Sequence, residues 1–302
     1  MRSACASAPG KVILFGEHFV VYDKPALVSS IDLRAYVEAM EIDQGFHLEG
    51  WSGDNPALRA SRYVAERLGY GRGIKLRTRS EIPQSVGLGS SASISVASAA
   101  ATSLMIGKPL DLDLIMEAAH QGEKLIHYKP SGIDTAIASL GGAGVYRRSE
   151  GFRRLSFKLQ DIIIVNTGKM RRTGDLVKKV KDLRDSNPKM FARILEDAES
   201  LIQEALEALR SPDIERIGIL MRKNQELLRS IGVSSREIED AIKLCMKAGA
   251  LGAKLTGAGG GGCIIAVAED EKIPKIIDEV KRFFQAMRSR LMVEGVRSEP
   301  SI

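Results

Sequence analysis

Cysteine is sparse in this 302-residue chain: Cys5, Cys245 and Cys263 are odd in number and far apart. That excludes a disulfide framework and a zinc-type cysteine cluster, and it leads us to expect a reducing, cytoplasmic setting. No apolar run reaches the roughly 18 residues of a membrane span, so no transmembrane helix is expected. Met1-Arg2-Ser3-Ala4-Cys5 has no apolar stretch before patterned sequence begins, so no signal peptide is expected either. Internal repeats, low-complexity tracts and Pro/Ser-rich linkers are absent. Asn and Gln are scarce beside Lys, Arg and Glu, a balance that leans towards a heat-adapted source. Clustered charge is lacking too. The net charge is +6, but the 44 basic residues are dispersed, and the densest stretch, Arg147 to Arg154, is interrupted by Glu150. This argues against a nucleic-acid partner and suits an enzyme that handles small polyanions.

What is present is ordinary for a soluble globular protein: 44% apolar and 27% charged residues, enough for one large or two smaller domains. Residues 11–21 and 31–41 are strand-like. Asn55-Pro56 starts a helix that ends at Gly69, with Pro at the first helical position. Over 73–80, Ile74 and Leu76 alternate with Lys75, Arg77 and Arg79, a strand wet on one face. A small-residue helix is expected from Ser91 to Met105, and another from near Asp111. Helical spacing then runs through 173–185, 188–209, 213–230 and 235–248. Strands are expected near 251–256 and 262–268, a helix over 272–287, and a last strand over 290–295. Charged and polar residues gather between Gly142 and Gln160, where a domain boundary is expected. Helices layered on a few strands make the expected class α+β.

Three glycine-rich segments carry the chemistry. In the loop Pro83-Gln84-Ser85-Val86-Gly87-Leu88-Gly89-Ser90-Ser91-Ala92-Ser93, glycines allow an anion to approach the backbone. The helix N-terminus behind them supplies unpaired N–H groups, and Ser90 and Ser91 add hydroxyls. A plain turn with a serine cap would look the same. Gly87-x-Gly89-x-x-Ala92 also satisfies the relaxed dinucleotide pattern, with Asp111 about twenty residues on. The half-wet strand before it argues against that, since a central parallel strand is apolar on both faces. No Gly-Lys-Ser/Thr follows, so the loop is not a Walker motif.

The second segment, Ala8-Pro9-Gly10-Lys11-Val12-Ile13-Leu14 with Gly16-Glu17-His18, places a lysine beside a sharp turn entering an apolar strand, and two ionisable groups at its end. Alone, Lys11 could be a solvated turn lysine and His18 a satisfied half-buried histidine. The third, Lys254-Leu255-Thr256-Gly257-Ala258-Gly259-Gly260-Gly261-Gly262-Cys263, spends more glycines than a turn requires, at about 0.5–1 kcal/mol each relative to Ala, and reads as a ligand-lining loop. Between them, Pro130-Ser131-Gly132-Ile133-Asp134 reads as a rigid turn presenting a carboxylate, or as a helix cap. A carboxylate near a lysine and a phosphate loop is what phosphorylation of a hydroxyl requires.

Together, and in this order, these segments resemble the GHMP kinase family. Within it, the Gly16-Glu17-His18 and Pro130-to-Asp134 segments and the run from Asn166-Thr167 to Arg171-Arg172-Thr173 are most similar to the archaeal-type mevalonate kinases. The resemblance covers essentially the whole chain. It implies a two-domain fold with a ribosomal-protein-like α/β domain over 1–155 and a ferredoxin-like α/β domain over 156–302, and a site in the cleft between them. It implies that ATP and Mg2+ are used to phosphorylate mevalonate, with Asp134 as catalytic base and Lys11 as its partner. Ser91 and Glu123 would hold the metal, and Pro83 with the amides of Gly87, Leu88, Gly89, Ser90, Ser91 and Ala92 would surround the phosphates. His18, Arg171, Thr173 and Ala258 would line the mevalonate pocket, with Glu17 and Ser131 in support; a homodimer is implied, with no membrane or nucleic-acid partner. Other GHMP small-molecule kinases (phosphomevalonate, sugar or homoserine) and a catalytically silent ligand-binding regulator are the alternatives. Two departures from the family pattern are Ser85 and Asp23, each at a position where Gly is frequent in mevalonate kinases.

Overall fold

A computed structural model describes residues 2–126, 132–169, 173–211 and 213–300. Among them two sheets and nine helices form the layers. In the first sheet the long strands β1 (Ser3–Phe15) and β2 (Ala26–Ile42) pair antiparallel. β4 (Gly73–Ser80) pairs antiparallel with β2, and the short β3 (Phe46–Leu48) runs parallel to β4. An antiparallel β4 removes the dinucleotide-binding alternative. β5 (Ala143–Arg147) and β6 (Gly151–Leu155) form a hairpin that joins the sheet through β2.

Helices α1 (Pro56–Arg67), α2 (Ser90–Ile106) and α3 (Leu112–Glu123) cover one face of this sheet. The Asn55 side chain accepts from the N–H of Leu58 at 3.0 Å and caps α1 as expected. α2 is enclosed on nearly all sides, which its alanines and serines permit: Val96, Ala97, Ala99 and Ala100 pack with Ala6, Ala8, Val37 and Leu76 of the sheet and Val64 and Ile115 of its neighbours. Several of its hydroxyls find partners, as in Ser98 to the Ile94 carbonyl at 2.7 Å and Ser61 with Thr102 at 2.8 Å, while the buried Ser95 Oγ has none among the described residues. The short α4 (Ile133–Leu140) follows.

The second sheet is antiparallel, in the order β10 (Gln285–Arg290), β7 (Asp161–Asn166), β9 (Cys263–Val267), β8 (Gly252–Leu255). One face, with Ile163, Val165, Leu255 and Ile264, meets α5 (Thr173–Ser186), α6 (Pro188–Arg210), α8 (Arg236–Ala248) and α9 (Ile273–Val280). The other face, with Ile162, Ile164, Ile265 and Val267, packs against Leu201 and Leu206 of α6, Leu220 of α7 (Ile214–Ser230), and Val12, Leu14 and Leu27 of the first sheet. The last strand, β11 (Arg297–Glu299), returns to pair with β1.

Four expectations need correction. The strand over 11–21 starts at Ser3 and stops at Phe15, because Gly16 turns the chain (φ 97°) and Phe19–Tyr22 form a 3₁₀ turn. Nor does Pro9-Gly10 make a sharp turn. The strand runs through it with a shift of register, the usual way an antiparallel strand accommodates a missing N–H. The helix over 272–287 ends at Val280, the strand expected over 290–295 is replaced by β11 at 297–299, and 285–290 is a strand. There Ala286 and Ser289 are buried while Gln285, Arg288 and Arg290 are exposed, a weak alternation hidden by the apolar run Phe283-Phe284.

Candidate active site

β1, the loop before α2, and the start of α4 converge on Lys11. Its N–H donates to the Leu88 carbonyl at 2.8 Å, which pins the glycine loop against β1. Gly89 has φ 79°, and a Cβ there would lie 3.1 Å from Cγ of Lys11. A side chain at Gly89 would therefore both strain the turn and press on the lysine. Ser93 reinforces the junction by donating to the Pro9 carbonyl at 2.7 Å. Gly89 is the N-cap of α2 and offers no side-chain cap, so the first amides of the helix point into the loop with the positive end of the helix dipole behind them. Such a turn can receive an anion on backbone groups alone.

The Lys11 ammonium lies 3.2 Å from Oδ1 of Asp134, in the first turn of α4. The lysine is buried, not the solvated turn residue it could have been. The Asp134 side chain keeps 35% of its surface accessible against 6% for Lys11, so the carboxylate is the open end of the pair. The helix-cap reading of Asp134 fails, since Gly132 is the N-cap. Ser91, in the first turn of α2, donates to Oε1 of Glu123 at the end of α3. Burial pushes the Glu123 carboxyl up to about 7; the Ser91 bond opposes this, the Asp134 charge adds to it, and Lys11 opposes it.

The second and third segments are stitched together. Nε2 of His18 lies 2.8 Å from the Ala258 carbonyl. Thr256 Oγ1 accepts from the Ile13 N–H at 2.9 Å and donates to the Ile13 carbonyl at 3.1 Å. Lys254 donates to Oε1 of Glu17, with both side chains fully buried. Thr256, Ser93 and Lys254 lie in the segments singled out in the sequence, but no role was assigned to them there. For Lys254 a signal existed: a charge in the otherwise apolar strand Gly252-Ala253-Lys254-Leu255. In the third loop Gly257 and Gly259 through Gly262 all have positive φ, and a Cβ on Gly259 would fall 2.2 Å from the Val233 carbonyl. The glycines are thus required by backbone geometry and close approach together. Ser131 and Arg171 lie outside the described residues. Thr173 begins α5, and its side chain is outside them also.

The family models for the GHMP kinases N terminal domain and the GHMP kinases C terminal match residues 55–142 and 205–286. The chain belongs to the GHMP kinase family. It is 37% identical to the mevalonate kinase of Aeropyrum pernix over 99% of both chains. It is 36% identical to that of Pyrococcus furiosus, over 88% of this chain and 90% of the other. Among solved structures, L. major mevalonate kinase in complex with R-mevalonate superposes with a TM-score of 0.86 at 30% identity, covering 96% of each chain. Methanococcus jannaschii mevalonate kinase does so with a TM-score of 0.84 at 30% identity, over 96% and 98%. Lactococcus lactis galactokinase shares the fold, at 18% identity.

A GHMP kinase works on a nucleotide carrying a divalent cation, and the donor set here can be tested against one. Among the described residues no group of three or more His, Cys, Asp or Glu side chains is placed to hold a metal ion. Ser91 and Glu123 supply two hard oxygens beside the anion site. Magnesium takes oxygen ligands, keeps several waters, and uses one or two carboxylates plus substrate phosphates, so the pair fits it. A softer or more heavily coordinated metal would not be satisfied.

Proposed function

We propose that this chain transfers the γ-phosphoryl group of Mg–ATP to the 5-hydroxyl of mevalonate, an early step of isoprenoid synthesis. The observation that carries the reading is the Lys11–Asp134 pair at the foot of the open α2 N-terminus. It sets a proton acceptor and a cation beside a phosphate cradle, in a chain whose 37%-identical relative is a mevalonate kinase. Asp134, the exposed partner, takes the proton of the substrate hydroxyl as its oxygen bonds to phosphorus and the bond to the ADP oxygen breaks. Lys11 holds that carboxylate from its buried side and donates towards the developing alkoxide. The amides from Gly87 to Ala92 bind the phosphates, with Pro83 at the entry to the loop. Ser91 and Glu123 hold the magnesium ion, which when bound spreads charge on the phosphates.

On the substrate side, His18 and the backbone at Ala258 line the pocket with Arg171 and Thr173, and Ser131 supports Asp134. Arginine suits bidentate capture of the mevalonate carboxylate. We place the division between the two parts near residue 155, with the phosphate loop and base on the first and the third glycine loop on the second. We further assign a cytoplasmic homodimer. Among the described residues no helix is long and apolar enough to cross a membrane.

ADP release with mevalonate, phosphomevalonate, galactose and homoserine as acceptors, each with and without magnesium, tests the assignment. Magnesium-dependent turnover with mevalonate is expected to exceed the others by orders of magnitude. Preference for another acceptor would reassign the substrate, and ATP binding without turnover on any of them would leave a ligand-binding regulator.

A further inference from the structure

One side chain ties the second sheet to the strand that carries Lys11. Thr256 follows β8 at the root of the third glycine loop and has no accessible surface. Its hydroxyl accepts from the Ile13 N–H at 2.9 Å and donates to the Ile13 carbonyl at 3.1 Å. A single oxygen thus satisfies both backbone groups of one residue of β1. An apolar contact would hold the two layers together without fixing their register. A hydroxyl that meets a donor and an acceptor at once fixes where Ile13 sits, because hydrogen bonds weaken steeply away from their preferred geometry.

These bonds close a ring that includes the phosphate loop. The Thr256 N–H donates to the Cys263 carbonyl at 3.1 Å, and the Cys263 N–H donates to the Val86 carbonyl at 3.1 Å. Further along that loop, the Leu88 carbonyl accepts from the Lys11 N–H at 2.8 Å. Lys11 and Ile13 share β1, which returns the ring to Thr256. Every join is backbone to backbone except the one at Ile13, which depends on the Thr256 hydroxyl. Ile13 bears on the carboxylate as well. Its side chain is buried in one cluster with Ile133 and Ile137 of α4, which flank Asp134 in the chain. The residue that Thr256 holds therefore supports both members of the pair that stands 3.2 Å apart.

We propose that Thr256 is a positioning residue for phosphoryl transfer: its hydroxyl fixes Ile13 against the second sheet, and so sets where Lys11 and Asp134 stand relative to the phosphate loop. This rests on the roles given above to Lys11 and Asp134. Misplacing a reacting group by about 1 Å can cost on the order of 10²-fold in rate, so a hydroxyl that never meets the substrate can matter to turnover.

Thr256→Val keeps the shape and removes the hydroxyl, while the backbone bonds through Cys263 and Val86 still hold the phosphate loop. It is expected to lower kcat about tenfold or more with the KM for ATP within about threefold of parent, and a smaller loss of kcat overturns the proposal. Tm falls too, since the buried Ile13 groups lose their partner. The conservative variant separates the two effects. Thr256→Ser keeps the hydroxyl and empties a methyl group, so it is expected to lower Tm yet hold kcat within about threefold of parent. A kcat loss in the Ser variant as large as in the Val variant would make the role one of packing and overturn the proposal. A double-mutant cycle gives a readout that a structural role would not move. In the Asp134→Asn background Thr256→Val is expected to cost no more than about threefold in single-turnover rate, because both changes act on one unit. The full loss repeated there overturns the proposal. If Thr256→Val does not fold, Thr256→Ala, assayed well below its Tm, takes its place with the same thresholds. Parent turnover on mevalonate is measured alongside. Its absence would refute the functional reading, whereas a parent-like Val variant refutes only the role of Thr256.

Discussion

At the scale of single residues, the chemistry rests on the difference in exposure between two ion-paired groups. Asp134 is open and Lys11 is not, which is the ground for proposing the carboxylate as the proton acceptor and the lysine as its fixed partner. Asn is nearly isosteric with Asp but cannot take a proton. Asp134→Asn is therefore expected to fold, bind ATP and lose about 10²–10⁴ in kcat, the usual worth of a general base. Turnover within a few-fold of parent in single-turnover assays would remove it from that role. Glu123→Gln keeps the shape that receives the Ser91 hydroxyl but loses the charge that a cation requires. Titration of activity with magnesium should show a midpoint raised about tenfold or more, with the circular dichroism spectrum unchanged. The contacts of Lys11 with Asp134 and of Ser91 with Glu123 join residues that the sequence had singled out, because each segment pairs a backbone device with a side chain of fixed chemistry. The departures at Ser85 and Asp23 were legible as well: both adopt positive φ, 58° and 60°, where glycine is favoured. Asp23 is secured there by accepting from the N–H and hydroxyl of Ser149, each at 2.8 Å. What could not be read was the partner of Lys254, since a lone lysine in a four-residue strand shows none until a residue 237 positions away is folded against it.

At the scale of elements, helices with caps were readable and paired strands were not. Asn55 caps α1 where it was expected, and Asp111 and Ser235 cap the helices expected to begin near 111 and 235, since capping is a local bond. β5 and β6 lie in the polar stretch taken for a boundary, and they are strands only because β2 offers an edge to pair with. That hairpin is also where an ion-pair strap crosses the molecule. Glu199 of α6 accepts from Lys24, in the turn before β2, at 2.5 Å and from Arg147 of β5 at 2.7 Å. These bonds, Lys24's first, hold the Glu199 carboxyl below its usual range. A carboxyl so depressed contributes stability that is present above its unfolded pKa, about 4.3, and is lost as pH falls through the lower folded value. Glu199 is about one-third exposed, so the contribution is modest, about 1 kcal/mol. Glu199→Gln should lower the urea-unfolding free energy by about that much at pH 7. The gap to parent should close as pH drops from about 5 towards 3. A gap independent of pH would mean that the strap works by packing and not by charge.

At the scale of the whole molecule, two sheets do not make two independent folding units. The first sheet is closed by β11, residues 297–299, which pair with β1 at Cys5, Ala6 and Ser7. Arg34 of β2, only 4% exposed, is satisfied largely by that returning chain. Its guanidinium donates to the Glu294 carbonyl at 2.9 Å and the Gly295 carbonyl at 2.6 Å, and to Ser7 Oγ at 2.7 Å and O at 3.0 Å. Val12, Leu14 and Leu27 of the first sheet share one core with Ile162, Ile164 and Ile265 of the second. A fragment ending at residue 155 would lose β11, strip two carbonyls from a buried cation and expose that shared face. Leaving a buried charge without its partners costs about 3–5 kcal/mol by itself, comparable to much of a domain's net stability. Residues 1–155 expressed alone are therefore expected to lack a cooperative melting transition. Full-length protein truncated after Leu291 should keep the shared core but melt about 10 °C or more lower, given a few degrees per kcal/mol at this size. A cooperative transition in the isolated fragment, or an unchanged Tm on truncation, would show the two halves to be separable and the returning strand to be dispensable.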